Sequence, residues 1–188
     1  NRIVVAESGI RTRGDMENLP KRVSAVLVGG SLMQAENPAG KIRELLGKPL
    51  LKICGVKRVK DAMLCEKLGV EFIGLNFVPT SRRRVAVRDA RSICRAVKFA
   101  KTVGIFKNQS LGEVNEIAQT VGIDFIQLAG DEDAAFITQC IKPVIKTVSV
   151  ESKEYVKKAR MFGDISHSIL FDGHTPGSGK SFDHRMLR

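Results

Sequence analysis

The chain has no tryptophan, a single tyrosine and nine phenylalanines. These aromatics do not interleave with a basic stripe, so the stacking platform that holds single-stranded nucleic acid is missing. No apolar run approaches the ~18 residues of a membrane span, and no secretory signal pattern opens the chain. The four cysteines, Cys54, Cys65, Cys94 and Cys140, form no CxxC pair and stand at long, irregular intervals. That spacing excludes the usual zinc sites and a disulfide framework. Reduced thiols in the cytoplasm, with no metal, are expected. Negative charge is also short: 20 acidic residues against 31 basic ones give a net charge of +11. The basic residues are scattered, and only Arg82-Arg83-Arg84 forms a run. Attraction for a phosphorylated small molecule therefore explains the excess as well as nucleic acid does.

An apolar fraction of 43% over 188 residues excludes wholesale disorder and suffices for one good core. The first residue is Asn1, directly before a strand-like run, and Arg188 follows closely on a glycine-rich loop. Both ends read as cuts in a longer protein.

Short β-branched runs alternate with helical patterns throughout. Strands are expected at Ile3–Ala6, Ala25–Gly29, Leu50–Cys54, Phe72–Phe77, Thr102–Phe106, Phe125–Leu128, Val144–Val148 and Ile169–Asp172. Helices are expected near 14–19 and over 38–46, 60–68, 87–99, 111–121, 132–141 and 152–162. Gly47, Gly69 and Gly122 are helix stop signals. A βαβα alternation means a parallel sheet covered by helices. Eight strands suit a closed (β/α)8 TIM-type barrel with a truncated last helix, and an open doubly wound sheet is the rival. Both place the ligand at the carboxyl ends of the strands.

Several strand ends carry chemistry. Lys52 and Cys54 are two apart in a strand and share a face. A cation beside a thiol favours the thiolate, which makes a usable base; a buried, inert cysteine is the alternative. Asp172 ends an apolar strand, as a proton donor or as a turn residue. Glu7-Ser8-Gly9-Ile10 and Gly29-Gly30-Ser31-Leu32 each follow a strand, and their backbone N–H groups suit a phosphate, or an ordinary turn. Arg82, Arg83 and Arg84 offer guanidinium forks for a carboxylate, or a solvated loop. Gln127 ends another strand and has hydrogen-bonding groups for a substrate. Gly177-Ser178-Gly179-Lys180-Ser181 imitates a nucleotide P-loop but has His174 where the pattern needs glycine. Lys146, within a strand, suggests a Schiff-base aldolase with no second feature behind it.

Taken together, residues 51–188 resemble the phosphoribosylanthranilate isomerase family. The matching blocks are Lys52-Ile53-Cys54-Gly55, Gly74-Leu75-Asn76-Phe77 with Ser81-Arg82-Arg83, Val103-Gly104-Ile105-Phe106-Lys107-Asn108, Gln127-Leu128-Ala129-Gly130-Asp131-Glu132, and Leu170-Phe171-Asp172 with Gly177-Ser178-Gly179-Lys180-Ser181-Phe182-Asp183. Residues 1–47 resemble the last two β/α units of indole-3-glycerol phosphate synthase, through Ala6-Glu7-Ser8-Gly9-Ile10 and Val26-Leu27-Val28-Gly29-Gly30-Ser31-Leu32-Met33. The two are fused in this order in some bacteria, and the joint is expected near Gly47-Lys48-Pro49.

The resemblance implies a cofactor-free Amadori rearrangement in tryptophan biosynthesis. Cys54 would be the general base and Asp172 the general acid. Arg83 would hold the anthranilate carboxylate, with Lys52 and Gln127 also at the substrate. Ala129 departs from the family's usual histidine. The first unit (residues 1–48) would belong to a synthase barrel, inactive here, and the second (49–188) to six units of an isomerase barrel. The total of eight strands also permits a hybrid barrel, with Ser8, Gly9, Gly29, Gly30 and Ser31 supplying the phosphate loops. A non-catalytic piece of the fusion is the other reading. The expected partner is a phosphorylated small molecule, with neither nucleic acid nor membrane, and no oligomeric state follows.

Overall fold

The computed structural model describes residues 4–7, 9–47, 49–150 and 154–173. Ser8 and the whole P-loop-like segment lie outside the described residues. Among the described residues two parallel sheets are present. The smaller pairs β1 (Val5–Glu7) with β2 (Ala25–Leu27). The larger has six strands in sequence order. These are β3 (Lys52–Cys54), β4 (Phe72–Asn76), β5 (Lys101–Phe106), β6 (Phe125–Leu128), β7 (Val144–Ser149) and β8 (Ser168–Asp172).

The expectation of eight strands in one barrel is corrected here. The main sheet is a six-stranded half-barrel, and β1 and β2 pair only with each other among the described residues. The pairing that a hybrid barrel needs, between β1 or β2 and an edge of the larger sheet, is absent there. No described helix is long and apolar enough to cross a membrane.

Register sets the two faces of the larger sheet. Cys54 lies opposite Gly74, Ile105 opposite Gln127, Thr147 opposite Leu170 and Ser149 opposite Asp172, so one face carries all the sequence-singled strand residues except Lys146. The other face packs Ile73, Leu75, Phe106, Ile126 and Leu128 under helices, all nearly or fully buried. The helices against it include α4 (Val59–Lys67), α5 (Val87–Ala96), α6 (Leu111–Val121), α7 (Ala134–Thr138) and α8 (Glu154–Gly163).

The sheet is curled. The Nζ of Lys52 on β3 donates to Oε1 of Gln127 on β6 at 2.6 Å. In a flat sheet these strands lie about 14 Å apart with side chains parallel. Direct contact requires the two strands to face each other across a concave interior.

Helix ends follow local chemistry. Ser110 caps α6 by accepting from the Glu113 N–H, and the helix stops at Gly122 in the left-handed region. The helix expected over 87–99 ends at Ala96 instead. The N–H groups of Lys98, Phe99 and Ala100 all donate to the Glu66 carboxylate, which holds that segment as a loop. The helix expected over 132–141 shrinks to Ala134–Thr138, because Glu132 turns inward and Asp133 takes the cap.

The amino-terminal segment adds α1 (Arg13–Glu17), α2 (Gly30–Met33) and α3 (Pro38–Leu45). α2 is a single turn that the loop-like composition of Gly29-Gly30 does not announce. α3 begins with Asn37 capping Gly40 N and Pro38 in its first turn. It meets the larger unit through Arg43, 3.5 Å from the Glu71 carboxylate.

Candidate active site

The concave face of the half-barrel opens into a cavity of about 530 Å³ at the carboxyl ends of its strands. Cys54, Arg83, Gln127 and Asp172 all line it, with Asn76, Lys107, Ala129 and Thr147. Residues more than a hundred positions apart are thereby brought to one mouth. Lys52 sits one layer deeper, reaching the same group through Gln127.

Cys54 ends β3 and is exposed. Lys52 Nζ stands 3.9 Å from its sulfur, at the long limit of an N–H···S contact. Burial pulls the Lys52 ammonium below the usual lysine range, the neighbouring Cys54 sulfur pulls it back up, and the Arg83 charge pushes it down. Two other thiols are of a different kind. Burial raises Cys94, and burial with the Glu132 charge pushes Cys140 up to about 11. Thiols so held stay protonated and inert at neutral pH.

Arg83 reaches the mouth because Gly55 lets it. Gly55 has φ +85, and a Cβ there would lie 2.6 Å from Arg83 Cδ. The loop carrying Arg83 is braced by Ser81, whose Oγ accepts from the Arg83 N–H at 3.2 Å. It is also braced by Asn76, whose carbonyl accepts from the Val85 N–H at 2.9 Å. Arg82 lines the same cavity. Asp172 ends β8, and its Oδ1 accepts from the Gly173 N–H at 2.8 Å.

The glycine–serine loops are elsewhere. Gly9, Gly29, Gly30 and Ser31 line a second cavity of about 680 Å³, with Arg11 and Lys41. Ser31 Oγ donates to Ile10 O at 3.0 Å. None of these four residues lines the cavity that holds Cys54 and Asp172.

Lys146 is not a free amine. Its Nζ is 2.8 Å from Glu132 Oε2, donates to Gly130 O at 2.6 Å and lies over the Phe162 ring. A side chain so buried and held on two sides is tied up as a structural ion pair, which removes the aldolase reading.

Thr147 and Lys107 are cavity residues that sequence reasoning missed. Lys107 directly follows the end of β5, where polar groups were already expected. Thr147 shares a face with Gln127 only once the register of β6 and β7 is known. Ala129, at the family's histidine position, still closes the end of β6 by donating its N–H to Phe106 O at 2.9 Å.

Comparison with known proteins bears on both parts of the chain. The model of the N-(5'-phosphoribosyl)anthranilate (PRA) isomerase family matches residues 51–188, and that of indole-3-glycerol phosphate synthase matches residues 1–45. The tryptophan biosynthesis protein TrpCF of Salmonella typhi is 32% identical over 188 residues, spanning 98% of this chain and 41% of that protein. The N-(5'-phosphoribosyl)anthranilate isomerase of Azotobacter vinelandii is 37% identical over 72% of this chain and 68% of its own length. The chain thus spans about two fifths of the fusion relative's length. Among solved structures, phosphoribosyl anthranilate isomerase from Thermus thermophilus superposes with TM-score 0.67 at 32% identity, covering 74% of this chain and 70% of that one. Another, at TM-score 0.62 and 28% identity, holds reduced 1-(o-carboxyphenylamino)-1-deoxyribulose 5-phosphate; it covers 66% of this chain and 64% of its own.

Proposed function

The chain belongs to the N-(5'-phosphoribosyl)anthranilate isomerase family over residues 51–188, and from that premise we propose that its cavity performs the isomerisation. The substrate is N-(5'-phosphoribosyl)anthranilate and the product 1-(2-carboxyphenylamino)-1-deoxyribulose 5-phosphate, a step of tryptophan biosynthesis. Asp172 protonates the ring oxygen as the C1′–O bond opens to an iminium. Cys54 removes the C2′ proton, and the resulting enolamine tautomerises to the ketose. Arg83 holds the anthranilate carboxylate. The observation that carries this reading is the shared mouth: Cys54 and Asp172 stand at the ends of β3 and β8 and open on one cavity. Acid and base on opposite strands can address neighbouring sugar atoms at once.

The six-stranded half-barrel is read as six strands of a (β/α)8 isomerase barrel, unit 49–188. Residues 1–48 are read as two β/α units of a separate synthase barrel, whose Gly9, Gly29, Gly30 and Ser31 suit a phosphate of that barrel. The separate pairing of β1 with β2 supports this division. So does their separate cavity. We place the reaction in the cytoplasm, where free thiols persist.

Turnover of phosphoribosylanthranilate tests the assignment. Cys54→Ala and Asp172→Asn are each expected to lower kcat by about 10²–10⁴. Unchanged turnover in either variant refutes its role. One observation favours a second reading, a non-catalytic chain: the phosphate-type loops do not line the Cys54 cavity. A cooperatively folded wild type without turnover supports that reading.

A further inference from the structure

We propose that Gln127 and Thr147 are positioning residues that hold the Lys52 ammonium against the Cys54 sulfur and so keep that sulfur reactive. The proposal deepens the reading of Cys54 as the base and rests on it. Three hydrogen-bonding contacts form a chain across the half-barrel. Thr147 Oγ1 accepts from Gln127 Nε2 at 3.2 Å. Gln127 Oε1 accepts from Lys52 Nζ at 2.6 Å. Lys52 Nζ reaches Cys54 Sγ at 3.9 Å.

The direction of this chain is forced by donor and acceptor chemistry. An ammonium only donates, so the amide atom facing Lys52 is the carbonyl oxygen. The amide nitrogen then points at Thr147, whose hydroxyl oxygen accepts. Gln127 and Thr147 are buried, and the Gln127 amide is engaged at both ends. Its part is to orient Lys52 rather than to grip a substrate.

Thr147 is itself well anchored. Its neighbour Lys146 is locked by Glu132 and by Gly130 O. The relay therefore starts from a rigid strand. Lys52 has four rotatable bonds, and without Gln127 its charge would spread over many positions. Other charged groups near the sulfur are Arg82, Arg83, Lys107 and Asp172 around the main cavity. On the α4 side stand Lys57, Arg58 and Asp61. Among the described residues the side chain that hydrogen-bonds to the sulfur is Lys52.

The test is alkylation of the full chain by iodoacetamide without substrate, reading the Cys54 peptide by mass spectrometry. At pH 7, Gln127→Met is expected to slow Cys54 modification about three- to tenfold and Thr147→Val about two- to fivefold. Thr147→Ser, which keeps the hydroxyl, restores the wild-type rate. At pH 10 most thiols are ionised, and the variants converge on wild type. A merely structural loosening would alter access equally at both pH values. Circular dichroism confirms that each variant keeps its fold, and Lys52→Met sets the full size of the effect. Unchanged rates at pH 7 in the folded variants, or equal slowing at pH 7 and pH 10, overturn the proposal. Because no substrate is present, a wild type that fails to turn over phosphoribosylanthranilate refutes the proposed function and leaves this result standing.

Discussion

Lys146 and Glu132 form an ion pair with both side chains 3% exposed. Such a pair is costly to break on one side only, because the surviving charge stays buried. Glu132 also accepts from Asn108 N at 2.8 Å and Gly130 N at 3.0 Å, tying the loops after β5 and β6 to β7. Lys146→Met is therefore expected to destabilise the chain by about 3–5 kcal/mol, read as a fall in the urea midpoint. The double variant Lys146→Met, Glu132→Gln should recover part of that loss, since it leaves no unpaired buried charge and the amide oxygen can still accept from one of the two N–H groups. A single variant as stable as wild type would show that the pair carries no such role. At this scale the sequence was partly legible. Lys52 and Cys54 share a face by strand alternation, Asp172 ends its strand and Gln127 stands one residue short of an end, so all four were visible in the local pattern. Thr147 was not, because its place beside Gln127 depends on register between strands. Nor was the fate of Lys146, because its partner Glu132 sits in a loop fourteen residues away.

Elements were read where local period decides them and misread where a distant side chain does. α6 runs over Leu111–Val121 as the pattern predicts, with a serine cap at one end and a left-handed glycine at the other. α5 stops early because Glu66, on α4, claims the N–H groups of Lys98, Phe99 and Ala100 at 2.7–2.9 Å. Nothing in residues 87–99 announces that contact. It has a consequence for pH. Burial pushes the Glu66 carboxyl up, but the three N–H groups and the Lys98 charge outweigh it and hold the group below the usual glutamate range. A folded value below the unfolded one stabilises the fold above the unfolded value, near pH 4.3, and that stabilisation is lost as pH falls through the folded value. Glu66→Gln is therefore expected to cost about 1 kcal/mol at pH 7 and almost nothing well below pH 4. Thermal melts of both proteins from pH 7 to pH 3 check this. A gap that stays constant across that range removes the charge from the explanation.

For the whole molecule, period and turn signals supplied eight strands but not their partners, since backbone pairing is the same for any two strands. The split into two sheets follows instead from what each strand can bury. Val5 and Leu27, on β1 and β2, are 54% and 59% exposed, whereas Val103 on β5 and Ile126 on β6 are fully buried. A two-stranded sheet of three residues each has little apolar area behind it and is marginal by itself. Two ion pairs tie the segment that carries it to the larger unit. Arg43 lies 3.5 Å from the buried Glu71, and Lys101 lies 3.7 Å from Glu36, with a partly exposed cation in each pair. The exposed Lys101–Glu36 pair contributes about 0–1 kcal/mol. The smaller sheet should therefore open without the larger one. In hydrogen exchange followed by mass spectrometry, amides of Val5–Glu7 and Ala25–Leu27 are expected to exchange on the order of a hundredfold faster than those of β5 and β6. High salt, which screens the two ion pairs, should speed the former and leave the latter unchanged. Equal protection in both sheets would mean that one cooperative body holds all eight strands, and that the burial of a few side chains on β1 and β2 underestimates what fixes them.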